Sequence, residues 1–172
     1  MRSFLLFSLI VPLMVGGLFT ISKGSNPRPD GPVTSYQYSY SGTMRFPTRF
    51  YEVKPDSTGT VCIYWSEQHS PDVSVIRAPE DALEHIGALV KDYKLHRLKS
   101  SYRPRMQVLD GYGWHMYVRF SGNSISTGGT NAWPPAKLNA GIHAINAYIG
   151  GLIEASAPED IIRVESHLTR DR

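Results

Sequence analysis

A single cysteine, Cys62, is all the thiol chemistry in this chain of 172 residues. No intrachain disulfide can form, so a disulfide-built scaffold is excluded. Cys62 sits in Val61-Cys62-Ile63-Tyr64-Trp65, a strand-like run, and reads as a small buried hydrophobe rather than a nucleophile. Charge is scarce as well, at 19 % of residues against the ~25 % usual for soluble domains. The net charge is a mild +3, and the basic residues are dispersed. Only the stretch holding Lys94, Arg97, Lys99, Arg103 and Arg105 is locally dense. Nucleic-acid proteins carry a longer basic stripe, so this stretch reads as a solvated helix end and loop, and no nucleic-acid partner is expected.

Motifs for chemistry are also missing. Ser126-Thr127-Gly128-Gly129-Thr130 lacks the Gly-Lys-Ser/Thr of a phosphate loop and the spaced glycines of a dinucleotide site. No Gly-x-Ser-x-Gly elbow occurs. None of the six histidines (His69, His85, His96, His115, His143, His167) falls in a His-x-His or His-Glu-x-x-His pairing. Nothing predicts the three or four converging ligands that a metal needs, so no metal and no cofactor are expected. His85, near Asp81 and Asp92, and His143, near Asn139 and Asn146, lie off the apolar helix stripes and read as solvated faces.

What the chain does have begins at its N-terminus. Phe4 to Ile21 carries no charge and follows Met1-Arg2-Ser3, the order of a secretory signal or signal anchor. Eighteen residues at about 1.5 Å each reach ~27 Å, close to the ~30 Å hydrocarbon core. Arg2 before the run and Lys23 and Arg28 after it barely orient it. No Ala-x-Ala triplet marks a cleavage site, and Cys62 lies too far downstream to carry a lipid anchor. The expected organisation is a signal peptide or anchor over 1–22, a Pro/Gly/Ser linker over 23–33, and one domain over 34–172. The expected location is extracytoplasmic, secreted or periplasmic or held at the membrane by residues 4–21 if they are retained.

Aromatics are plentiful, with ten Tyr, six Phe and three Trp. From Thr34 to Met44, Thr34, Tyr36, Tyr38, Tyr40 and Met44 alternate with Ser35, Gln37, Ser39, Ser41 and Thr43, the period of a half-buried strand. Phe50–Lys54 and Thr60–Glu67 read as strands joined by the loop Pro55-Asp56-Ser57-Thr58-Gly59. Val73–Ile76 reads as a further short strand. A helix after Pro79 carries the stripe Leu83, Ile86, Leu89, Val90, Tyr93. Arg105–Leu109 and Tyr112–Phe120 flank Asp110-Gly111, a two-residue hairpin signal. Ser124–Thr127 follows, then a helix from about Ala136 to Glu154 with the seam Leu138, Ile142, Ile145, Ile149, Leu152. The tail after Pro158 reads as a short helix. This order favours α+β: an antiparallel sheet of about five or six strands, two main helices packed on one face, and Tyr and Ser exposed on the other.

One constellation stands out. Asp110-Gly111-Tyr112-Gly113-Trp114-His115 and Thr127-Gly128-Gly129-Thr130-Asn131-Ala132-Trp133-Pro134-Pro135 should meet at one end of the sheet. Gly128-Gly129 would allow unusual backbone angles. Trp114, His115, Thr130, Asn131 and Trp133 are the candidate binding residues for an envelope protein, a peptide or a glycan. The competing reading is a rigid β-to-α connection with Trp133 as a packing anchor. The span from Tyr112 to Pro134 resembles bacterial extracytoplasmic domains in which an aromatic strand leads into a Gly-Gly-x-Asn loop and then a helix. That resemblance implies a secreted or anchored α+β domain and assigns no catalytic residue. The function expected is a non-catalytic binding or interaction domain of the cell envelope. The alternative is a small hydrolase drawing on Asp110, His115 and Ser126 or Thr130.

Overall fold

The computed structural model describes residues 25–42, 46–106 and 111–167. The expected membrane segment and Asp110 lie outside these residues. Within them the chain is α+β, with an eight-stranded, mostly antiparallel sheet and two helices. The strands are β1 (Val33–Ser41), β2 (Arg49–Pro55), β3 (Val61–Glu67), β4 (Asp72–Arg77), β5 (Ser101–Tyr102), β6 (Gly113–Phe120), β7 (Ser124–Thr130) and β8 (Ile161–Ser166). Helix α1 spans Ala82–Asp92 and α2 spans Ala136–Glu154. The spatial order is β5-β7-β6-β1-β2-β3-β4-β8. No helix of the described residues is long and apolar enough to cross a membrane.

The alternation in β1 sets the two faces. Tyr36 pairs with Val118 of β6 and Val53 of β2, and Tyr38 with Met116 and Tyr51. These side chains share a face and pack with Ile86 and Val90 of α1 and Ile142, Ile145 and Ile149 of α2 in one core. The expectation of exposed tyrosines is therefore corrected for Tyr36 and Tyr38, which are buried. A phenol supplies more apolar area than any other side chain in that strand, so the aromatic side is the one that turns inward. The serines of β1 take the outer face as expected. Asn146 is a second correction: it is buried, and Oδ1 accepts a 2.7 Å hydrogen bond from the Tyr36 hydroxyl.

A smaller cluster, Phe50, Cys62, Tyr64, Val73 and Val75, is buried on the opposite face. Arg163 and Lys54 lie over the Tyr64 ring at 5.5 and 5.0 Å and cap it. Cys62 belongs to this packing, and burial pushes its thiol pKa up.

The β2–β3 loop forms as read: Asp56 Oδ1 accepts from the Thr58 and Thr60 amides at 2.8 and 3.1 Å, and Gly59 takes φ +85°. Three other expectations fail. Arg105 and Met106 lie in bends, not a strand, and β6 is flanked by β1 and β7. The aromatic face of β1 matches Trp114, Met116 and Val118, and takes the partner position that Arg105–Leu109 was expected to fill. Instead Ser101 and Tyr102 pair parallel to Gly128 and Gly129, which makes the sheet mixed. The tail is β8 rather than a helix; only Pro158–Asp160 makes a helical turn, with Asp160 Oδ2 accepting from the Ala157 amide. With β5 and β8 the sheet exceeds the five or six strands expected.

Candidate functional site

The sheet end formed by the C-termini of β1 and β7 and the N-terminus of β6 gathers the residues singled out in the sequence. On the helix side it builds a ladder of rings. Tyr112 stacks on Tyr40 with centroids 5.4 Å apart and planes 8° from parallel. Tyr40 lies 6.1 Å from Trp133, and Trp133 stacks on Trp114 at 5.5 Å and 7°. Tyr102 of β5 closes the row 6.0 Å from Trp114. Trp114 is buried, whereas Tyr112 is 54 % and Trp133 44 % exposed. The ladder thus has a fixed inner rung and two outward ring surfaces.

Local chemistry holds it in place. Trp114 Nε1–H donates to the Ala132 carbonyl at 2.8 Å, which ties the β7–α2 loop to β6. Asn131 sits at φ +48°, a left-handed conformation that asparagine tolerates better than most residues. Its Oδ1 accepts from the Tyr112 amide, and its own amide donates to the Tyr112 carbonyl, both at 2.9 Å. Asn131 is therefore a clamp that positions Tyr112. The two glycines act through space and not, as expected, through unusual angles, since neither has positive φ. A Cβ on Gly129 would stand 2.4 Å from the Ala132 carbonyl and 2.6 Å from Trp114 Nε1, and one on Gly128 2.8 Å from the Trp114 carbonyl.

The outer side of the same sheet end is hydroxylic. Ser39 faces His115 and Ser41 faces Gly113 across β1 and β6, while His115 faces Gly128 and Gly113 faces Thr130 across β6 and β7. Two glycines and two serines in the middle of this patch leave a depression. The resulting cleft of about 360 Å³ is lined by these residues with Ser100, Ser101, Tyr102, Arg103 and the edges of Trp114 and Gly129. Arg103 is the one charged side chain in the lining and makes no ion pair among the described residues.

His115 Nε2 lies 3.3 Å from Ser126 Oγ. Partial desolvation against the sheet lowers the pKa of this otherwise exposed imidazole, which favours its neutral form. No described carboxylate forms an ion pair with it.

Of the five candidate binding residues, Trp114, His115 and Thr130 line the cleft, and Trp133 extends the ladder on the other side. Asn131 braces the ladder from behind. Tyr40, Tyr102, Tyr112, Ser39, Ser41 and Arg103 escaped the sequence reading as site residues. The alternation of β1 was the available signal: it sends Tyr40 to one side and Ser39 and Ser41 to the other at the strand end that meets Trp114 and His115. The described residues contain no group of three or more His, Cys, Asp or Glu placed to hold a metal ion. No protein-family model matches the chain, and no curated protein matches its sequence.

Proposed function

We propose that this is a non-catalytic binding domain of the cell envelope, delivered there by residues 4–21, and that the aromatic and hydroxylic sheet end is its ligand surface. The observation that carries the reading is the pair of outward rings, Tyr112 stacked on Tyr40 and Trp133 stacked on buried Trp114. Flat rings held ready at low entropic cost on the helix side, with small hydroxyl donors and acceptors on the outer side of the same sheet end, suit a glycan chain long enough to pass around that end. Sugar C–H faces stack on aromatics, and sugar hydroxyls exchange hydrogen bonds with serines, threonines and a neutral imidazole. Arg103 adds a preference for chains carrying a carboxylate or sulfate.

The test is titration of the full chain with neutral and acidic oligosaccharides, followed by tryptophan emission and calorimetry. Saturable binding that Tyr112→Ala and Trp133→Ala each weaken by about two- to tenfold, the scale of a lost stacking contact, supports the reading. Binding untouched by both substitutions, or no binding across the panel, sinks it.

A hydrolase is the second reading, and the 3.3 Å contact between His115 and Ser126 is the observation in its favour. A serine nucleophile needs its base oriented by a third group, and no described carboxylate pairs with His115. Turnover of any ester or glycoside that disappears in Ser126→Ala while binding persists would establish this reading over the first.

A further inference from the structure

The two edges of the sheet are built differently. One is β5, two residues long; the other is β8, six residues long, paired with β4 on one side and with no described strand on the other. Ile162 and Val164 of β8 are 46 % and 59 % exposed. Long edge strands with exposed β-branched residues invite pairing, whereas bulges, charge, proline or cover blunt them; the bulge of β8 falls at Ile162, which leaves Arg163–Ser166 as its regular edge.

The sequence of β8 specifies what it pairs with. Arg163 and Glu165 bracket Val164. They sit on the outer face, opposite Val75 and Val73, while Val164 sits opposite Ser74 on the helix side. An antiparallel partner of the same sequence, related by a two-fold axis at Val164, sets each Val164 against the other. It also sets each Arg163 against the Glu165 of the second copy. Within one chain Arg163 Nε already lies 2.7 Å from Glu165 Oε1, so the two copies would form a ring of four alternating charges. Moving the axis to Arg163 or to Glu165 puts like charges face to face, which is unfavourable. Moving it by half a step turns the outer face of one copy toward the helix side of the other. The register centred on Val164 is therefore the self-complementary one.

We propose that β8 is a homodimer edge: two copies join antiparallel through β8, with their two-fold axis at Val164, into one continuous sixteen-stranded sheet. The arrangement is closed and isologous, so it makes dimers and not fibres. It is independent of the ligand reading, because β8 and the aromatic ladder lie at opposite ends of the strand order.

The experiment uses the full chain in mild detergent. Residues facing each other across an antiparallel two-fold have Cα atoms about 4.5–5.5 Å apart, within reach of a disulfide. Val164→Cys should therefore cross-link to a dimer under mild oxidation, and the only native cysteine, Cys62, is buried and silent. Sedimentation should show a dimer that Val164→Lys abolishes. Glu165→Arg should weaken it about tenfold by opposing like charges, and adding Arg163→Glu should restore it. Failure of Val164→Cys to cross-link while its circular dichroism remains native overturns the proposal. So does a dimer that persists in Val164→Lys, which would place association elsewhere, such as in the apolar N-terminal segment.

Discussion

The Tyr36 hydroxyl donates a 2.7 Å hydrogen bond to Asn146 Oδ1, joining the middle of β1 to the buried face of α2. Both groups are buried, and Tyr36 belongs to the main hydrophobic core. The bond fixes the rotation and height of α2 over the sheet, which apolar packing alone specifies loosely. Because α2 starts right after Trp133 and Pro134, that placement also sets where the aromatic ladder sits.

Tyr36→Phe leaves Asn146 Oδ1 buried without its donor. The expected cost is about 1–3 kcal/mol, the price of an unsatisfied buried polar group. Removing both partners, with Tyr36→Phe and Asn146→Leu together, should recover most of the loss. Denaturant unfolding of the single and double variants measures both. A single variant as stable as the parent would mean that the bond contributes nothing net.

The same burial predicts how the fold fails in alkali. Desolvation pushes Tyr36 well above the ordinary tyrosine range and raises Tyr38 and Tyr51 to about 12. In the unfolded chain these phenols ionise near ~10. The folded state therefore holds protons that the unfolded state gives up. The stabilisation is complete below pH ~10 and is lost as pH rises through about 12. Tyrosinate absorbance and circular dichroism followed together should show these phenols ionising only as the fold unravels. Smooth ionisation at ordinary values with the fold intact would contradict the burial.

Gly128 and Gly129 should resist substitution for a steric reason. Gly129→Ala drives its methyl into the Ala132 carbonyl and the Trp114 indole, so the hydrogen bond between them must break or the loop must shift. Overpacking of this kind costs about 1–3 kcal/mol. Gly151→Ala, with nothing within 4 Å of the new methyl in α2, should stabilise by roughly 0.5–1 kcal/mol. Thermal melts with near-ultraviolet circular dichroism of the Trp114 environment distinguish them. Equal tolerance at both positions would refute the close approach.

These contacts mark where the sequence was readable. Alternation in Tyr36–Ser41 and Trp114–Phe120, and the helical stripes of Leu83, Ile86 and Val90 and of Ile142, Ile145 and Ile149, located most of the sheet and both helices, because burial imposes those periods directly. The strand β8 was missed because Ile162 is the extra residue of a bulge: Val75 pairs with Arg163, but Ile76 pairs with Ile161. That breaks the period of two just after a true helical turn at Pro158. The site was legible as a meeting of two segments, but its division between faces was not. Trp114 and His115 are adjacent in sequence, yet the pleat sends the indole into the ladder and the imidazole into the cleft. Asn146 was hidden for another reason: amphipathic patterning assigns polar residues outward, and a buried partner such as Tyr36 is a tertiary fact.

Whether Trp133 is a ligand platform or a packing anchor is decided by comparing it with Trp114. Trp114 is 3 % exposed, bonded to Ala132 and flanked by two rings, so Trp114→Ala should cost about 3–5 kcal/mol. Trp133 is 44 % exposed and lends mainly ring stacking, so Trp133→Ala should cost only about 1–2 kcal/mol. Tyr112→Ala should resemble Trp133→Ala, since its backbone clamp to Asn131 does not use the phenol. An exposed ring that stabilises little is free to be spent on a partner; a ring that stabilises as much as Trp114 is a staple of the β7–α2 loop. Chemical unfolding of the three variants side by side makes the distinction. Equal losses for Trp133→Ala and Trp114→Ala would assign the loop to structure and remove the outward face on which the binding reading depends.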